Sequence, residues 1–208
     1  MSNNGLFISF EGIDGSGKST QIEELKKYIY NYEKKIIFTR EPGGTPEAEL
    51  IRNLILSKSK NINFEKKTEI LLLLAARYEH FKKIIEPSIT SNKVVICDRF
   101  TDSTIAYQCL GIKSLESFYS AVSKKIIYNF KPNLTILLDI SPYEASKRIS
   151  KRKVKDKYDN KDIEYFSKVR ETYLKLAKNN SRIKIFNATK NKNLIATEIK
   201  DTITKLIN

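Results

Sequence analysis

A three-layer α/β domain, with a five-stranded parallel sheet between layers of helices, is the fold class this 208-residue chain predicts. Three observations predict it. Short apolar segments at residues 7–10, 36–38, 94–97, 134–138 and 183–186 each read as a buried strand. Stretches of helical periodicity alternate with them, an order that implies parallel strands joined by right-handed crossovers. Directly behind the first segment stands Gly12-Ile13-Asp14-Gly15-Ser16-Gly17-Lys18-Ser19, a complete phosphate-binding loop.

Each element has its own warrant. In the loop, glycines let successive backbone N–H groups converge on phosphate oxygens, Lys18 reaches the β- and γ-phosphates, and the Ser19 hydroxyl is placed to ligate Mg²⁺. Residues 20–30, opening on Thr20, continue as a helix with Ile22, Leu25 and Ile29 at spacings of three and four. The second strand is followed by Arg40-Glu41-Pro42-Gly43-Gly44-Thr45, the third by Asp98-Arg99, and the fourth closes on Asp139 with Ser141-Pro142 beyond it. Ligands in such sheets gather beyond the carboxyl ends of the strands, so these polar clusters share one rim. Ser141 and Pro142 read as a helix N-cap and first helical residue, without chemistry. Asp98 stands where phosphate-loop enzymes keep the carboxylate of the Mg²⁺ shell; the alternative is an acceptor for backbone groups or for Arg99. Arg99 reads as a guanidinium facing phosphates in preference to a surface ion pair.

Composition narrows the class. One domain spanning residues 1–208 is expected, with no linker or repeat, and the longest uncharged apolar run, residues 70–76, is far below membrane-spanning length. No secretory signal is read at the N-terminus, so the expectation is a cytoplasmic enzyme without a membrane partner. Cys97 and Cys109 read as reduced core thiols. A net charge of +14 invites a nucleic-acid partner, but the lysines are spread along the chain and no RNA-binding motif with stacked aromatics accompanies them. What remains is a positive field that draws small polyanions into a cleft.

The chain resembles the thymidylate kinases almost end to end. The resemblance is carried by Phe10-Glu11-Gly12 through Lys18-Ser19-Thr20, by Thr39 through Thr45, by Leu74-Ala75-Ala76-Arg77, by Asp98-Arg99-Phe100 with Ser103-Thr104 and Ala106-Tyr107-Gln108, and by Leu137-Leu138-Asp139. It implies a P-loop NTPase fold with a lid at about residues 147–160, the phosphorylation of dTMP to dTDP with ATP and Mg²⁺, and a homodimer built on helices. Residues 12–20 would bind ATP. Arg52 and Arg99 would lie near the acceptor phosphate, Arg77 on the base, Thr104 and Gln108 at the thymine edge, Tyr107 against the sugar, Pro42 on the base, and Asp14 near the acceptor sugar and phosphate. From the residues alone, Arg52 passes as a solvated helix charge and Tyr107 as helix packing. Thr104 and Gln108 are one helical turn apart and share a face.

Two positions depart from the family. Leu73 stands where an aromatic commonly stacks on thymine, which replaces stacking by dispersion, a loss on the order of 1 kcal/mol. In the lid, Arg148 and Arg152 are one turn apart where the family keeps phosphate-contacting arginines, but Lys157 stands where relatives often have another. A solvated loop is the alternative for that basic run, and its position after the fourth strand and its helix favours function. In one branch of the family the loop supplies a catalytic arginine; here its variable positions Ile13, Asp14 and Ser16 include none, so the resemblance implies that the catalytic cations are Lys18, Arg99, Arg148 and Arg152. A phosphate acceptor is nearly dianionic at neutral pH and needs no general base. His80, the sole histidine, reads as a surface residue among charged neighbours. Two rivals stand beside this reading: a deoxynucleoside kinase using Glu41 as base, and a nucleic-acid-associated ATPase using the positive charge.

Overall fold

The computed structural model describes residues 5–28, 35–57, 63–150 and 162–207. Five strands form one sheet: β1 (Leu6–Glu11), β2 (Ile36–Arg40), β3 (Val94–Asp98), β4 (Leu134–Asp139) and β5 (Ile183–Asn187). The order across the sheet is β2-β3-β1-β4-β5, and every pairing is parallel. Around it lie α1 (Lys18–Tyr28), α2 (Pro46–Ile55), α3 (Lys66–His80), α4 (Glu86–Thr90), α5 (Thr101–Thr104), α6 (Lys113–Ile127), α7 (Pro142–Ser150), α8 (Ile163–Lys178) and α9 (Lys192–Ile207).

Alternation along the central strands sorts their side chains onto two faces. Ile8, Phe10, Val94 and Ile96 pack with Ile22 and Leu25 of α1, Phe166 and Val169 of α8, and Ile195 and Ile199 of α9. Phe7, Val95 and Cys97 point the other way, onto Phe81, Ile85, Phe100 and Ile127. The three central strands are buried as expected, whereas β2 and β5 are not. Ile36 to Thr39 are half-buried, and Lys184 and Ile185 are exposed. An edge strand has one neighbour, so its flanks stay partly uncovered. Cys97 and Cys109 are buried free thiols, and burial raises the pKa of both.

Local sequence sets the helix ends. Thr45 caps α2 by accepting from the Ala48 amide at 3.2 Å, with Pro46 opening the helix. Ser141 does the same for α7 through the Glu144 amide at 3.2 Å, again followed by proline. The segment after α3 widens into a π-helical turn, Phe81–Ile85, and a second follows α5 at Ile105–Cys109. The second turn carries Tyr107 and Gln108 into the rim above β3. Among the described residues, no helix is long and apolar enough to cross a membrane.

Candidate active site

β1 ends at Glu11 and the chain turns at once into the phosphate loop, with positive φ at Gly12, Gly15 and Gly17. Gly15 has no room for a side chain: a Cβ there would stand 2.6 Å from the Ala145 carbonyl oxygen of α7. The loop delivers Lys18 as the first residue of α1, folded back so that Nζ donates to the carbonyls of Gly12 (3.0 Å) and Ile13 (3.1 Å). Burial, and then the positive charge of Arg99, bring the Lys18 ammonium down to about 8. Ile13 turns its side chain into the core, so its contribution to the loop is its backbone.

Ser19 Oγ donates to Asp98 Oδ2 at 3.1 Å, across from the end of β3. The other carboxylate oxygen, Asp98 Oδ1, is buried with no partner among the described residues. A hydroxyl and an unpaired carboxylate oxygen beside a phosphate loop suit a hard divalent cation that takes its other ligands from phosphates and water. Among the described residues, no group of three or more His, Cys, Asp or Glu side chains could hold a metal by itself.

Arg99 follows β3 with φ at +70°, a left-handed conformation uncommon outside glycine. Its Nη2 donates to Asp14 Oδ1 (2.6 Å) and to the Tyr107 hydroxyl (3.2 Å), and its Nη1 donates to the Gly12 carbonyl (3.1 Å). The guanidinium lies 4.8 Å from the Tyr107 ring centroid. Arg99 therefore lines the cavity while forming an ion pair that is itself mostly buried. Burial alone would raise the Asp14 carboxyl, but the charges of Arg99 and Lys18 outweigh it and hold it below the ordinary range.

The opposite wall is built on α3. Arg77 is 3% exposed; its Nε donates to Glu41 Oε2 (2.7 Å), Nη1 to the Tyr119 hydroxyl (3.1 Å), and Nη2 to the Phe100 carbonyl (3.1 Å) and Thr104 Oγ1 (3.0 Å). His80, expected at the surface, is fully buried. Its Nδ1 lies 2.9 Å from Glu41 Oε1 and its Nε2 2.7 Å from Thr39 Oγ1. The reason is helical spacing, which puts it one turn beyond Arg77 on the buried face of α3. Glu41 thus has both oxygens committed to α3. Burial raises its carboxyl, and Arg77 and His80 more than reverse the rise.

Arg52, read from sequence alone as a solvated charge, is half-buried and donates to the Pro42 carbonyl at 2.8 Å. Gln108 Nε2 donates to Glu69 Oε1 at 2.8 Å. One cavity of about 280 Å³ is lined by Asp14, Gly15, Gly17, Lys18, Ser19 and Thr20 at one end. Pro42, Arg52, Leu73, Arg77, Arg99, Thr104, Tyr107 and Gln108 line the rest, with Asp98 between. Gly12 and Ser16 belong to the loop but not to this lining. Arg148, near the end of α7, donates to the carbonyls of Gly15 (3.4 Å) and Ala188 (2.9 Å). Arg152, Lys157 and the rest of the expected lid beyond Ser150 lie outside the described residues, as does Ile29.

Sequence reasoning assigned no role to Glu11, Ser103 or Tyr173. Glu11 Oε1 accepts from the Phe100 amide (2.8 Å), and Oε2 accepts from Ser103 Oγ (2.6 Å) and the Tyr173 hydroxyl (3.0 Å). Tyr173 lies 162 residues from Glu11, so no local pattern could have joined them.

A loop that cradles phosphates at one end of a cavity, with an arginine-rich wall at the other, can hold a phosphoryl donor and an anionic acceptor together. That arrangement defines the class of P-loop kinases. A family model described as thymidylate kinase matches residues 10–199. Thymidylate kinase of Thermosipho melanesiensis is 40% identical over 206 residues, covering 98% of this chain and 100% of that protein. Thymidylate kinase of Mycoplasma capricolum is 41% identical over 188 residues, covering 89% and 88%. A crystal structure of thymidylate kinase from Ehrlichia chaffeensis superposes with a TM-score of 0.76 at 35% identity, covering 97% of this chain and 99% of the other. The chain belongs to the thymidylate kinase family.

Proposed function

We propose that the chain transfers the γ-phosphoryl group of ATP to the phosphate of dTMP, giving dTDP and ADP. The observation that carries this reading is the single cavity that joins the phosphate loop to the wall of Arg52, Arg77 and Arg99. An acceptor phosphate oxygen attacks the γ-phosphorus in line as the bond to the β–γ bridging oxygen breaks, so the protein's task is positioning and charge neutralisation. The loop amides and Lys18 hold the donor phosphates, Arg99 holds the acceptor phosphate beside them, and Arg148 faces the loop from α7; Arg152 is assigned to the same task from the sequence alone. Mg²⁺ held by Ser19, with Asp98 in its shell, would neutralise charge on the donor phosphates. Pro42, Leu73, Thr104, Tyr107 and Gln108 surround the nucleoside of the acceptor.

The commitment of Glu41 weighs against a hydroxyl acceptor. A base for a sugar hydroxyl needs a free carboxylate oxygen, and both Glu41 oxygens are held by Arg77 and His80. An acceptor panel of dTMP, dUMP, dCMP, AMP and thymidine with Mg-ATP tests the assignment. Fast ADP formation with dTMP is expected, and phosphorylation of thymidine alone overturns it.

The same reading places the enzyme in the cytoplasm as a homodimer. Support for the dimer comes from an apolar face shared by two helices: Leu71, Ala75 and Tyr78 on α3 and Leu50 and Leu54 on α2 are exposed, while Ile70, Leu73, Leu74 and Ala76 are buried. Leu71→Glu is expected to give a monomer by sedimentation, and an unaltered mass removes α3 from the interface.

A further inference from the structure

Arg99 is held from two sides. Asp14 and Tyr107 take Nη2, while the two Nη1 protons are shared among the Gly12 carbonyl, Ser103 Oγ (3.0 Å) and the Tyr173 hydroxyl (3.3 Å). A hydroxyl can accept from Arg99 only if its own proton is turned elsewhere. Ser103 and Tyr173 lie 2.8 Å apart, and Glu11 Oε2 completes a triangle with them at 2.6 and 3.0 Å. In that triangle the acceptor is Glu11, in its ionised form.

We propose that Glu11 is a positioning residue for Arg99, turning the hydroxyls of Ser103 and Tyr173 so that both present lone pairs to the guanidinium. The proposal rests on the reading of Arg99 as the group that holds the acceptor phosphate. Residue identity is tightly constrained at this position. Glu11 Oε1 must accept from the Phe100 amide while Oε2 must accept from two hydroxyls, so both ends of the side chain must be acceptors. Glutamine has one acceptor end. Placed either way, it sets an N–H against the Phe100 N–H or adds two protons to a triangle that already holds two.

The position is also an unfavourable one for a carboxylate held for stability alone. Glu11 is fully buried, and burial followed by the nearby charge of Asp102 pushes its carboxyl up to about 7, against the opposing pull of Ser103, Arg99 and the Phe100 amide. The other charged groups around it are Lys18 on α1 and Arg77 on α3, while Asp102 on α5 is itself paired to Arg182 at 2.8 Å. None of these accepts a proton from Ser103 or Tyr173, which reach Arg99 from α5 and α8, two elements far apart in the chain. Glu11 is the residue that ties the two together at the root of the phosphate loop.

The test uses Glu11→Gln and, because a buried substitution can prevent folding, the packing-conserving Tyr173→Phe. Two readouts are taken on the full chain. In ¹⁵N-arginine NMR spectra without nucleotide, the Nη1 protons of Arg99 are expected to exchange slowly in the starting protein and to move to fast exchange in Glu11→Gln, with a smaller change in Tyr173→Phe. In steady-state kinetics, kcat/KM for dTMP is expected to fall about 30-fold or more in Glu11→Gln and about threefold in Tyr173→Phe, with KM for ATP within twofold. Unmoved Arg99 signals in both variants overturn the proposal. So does a loss shared equally by the two substrates, the sign of general loosening. Lack of dTMP-dependent ADP formation by the starting protein overturns the functional reading instead, and the Arg99 signals still decide the positioning role.

Discussion

Replacing His80 by phenylalanine keeps ring volume and removes two buried hydrogen bonds, those to Glu41 (2.9 Å) and Thr39 (2.7 Å). Glu41, held ionised by Arg77, can only accept, so Nδ1 donates to it, while Nε2 faces the Thr39 hydroxyl. A hydrogen bond to a charged group contributes about 1.5–3 kcal/mol and one between neutral groups about 0.5–1.5, so the expected loss is about 2–4.5 kcal/mol. For a chain of this size that lowers the melting temperature by about 4–18 °C. The pH dependence has a definite sign. Glu41 has a depressed folded pKa, so its contribution is present above the unfolded value near 4.5 and lost as pH falls through the folded value. Removing His80 takes away part of that depression and moves acid unfolding to higher pH. Urea titrations at neutral pH and a series of acid unfolding curves measure both. A change below about 0.5 kcal/mol with an unmoved acid midpoint would refute the assignment of His80 as a buried tether of Glu41.

Four further outcomes follow from the site. Asp98→Asn is expected to raise the Mg²⁺ concentration for half-maximal activity about 10- to 100-fold, read from an activation curve, because the unpaired Oδ1 would become half of an amide. Lys18 in the free protein sits near 8, so ATP binding at pH 9 should draw in about one proton as its phosphates restore the ammonium. Calorimetry in buffers of different ionisation enthalpy counts that proton, and Lys18→Met should abolish it. Leu73→Phe is expected to tighten dTMP binding about two- to tenfold by adding a stacking face to the cavity wall, and unchanged affinity removes the argument. Arg148→Ala is expected to cost at least about tenfold in kcat, and a loss below about threefold would take Arg148 out of the catalytic set.

The central strands and the loop between β1 and α1 were legible because their signals are local, apolar runs followed at once by glycines, lysine and serine. The edge strands misled, since an apolar run reports affinity for a core and says nothing of how many neighbours will cover it. Around the cavity, sequence found the residues that face inward but not those that hold them. Glu41 read as a candidate base, because its commitment to Arg77 and His80 depends on where α3 packs, which its own stretch of chain does not report. His80 could have been found: Ile70, Leu73, Leu74, Arg77 and His80 form one helical stripe, and the charges of Glu79, Lys82 and Lys83 beside it obscured that spacing. Tyr173 could not, since nothing in its own stretch of helix distinguishes a packed tyrosine from one aimed at Glu11.

The absence of an arginine inside the phosphate loop has a structural counterpart. The loop's amides are its phosphate-binding surface, yet its carbonyls are occupied as well, and by cations. Gly12 O accepts from Lys18 and from Arg99, Ile13 O from Lys18, and Gly15 O from Arg148. Three positive side chains from α1, the end of β3 and α7 therefore converge on one loop, on its carbonyl side, before any phosphate arrives. Held there by backbone oxygens, and for Arg99 by Asp14 too, they need little reorganisation when charge develops between donor and acceptor. An arginine within the loop would have to replace Ile13, Asp14 or Ser16. The first is committed to the core, the second to Arg99, and the third is buried, so the cations reach the loop from outside, through its carbonyls.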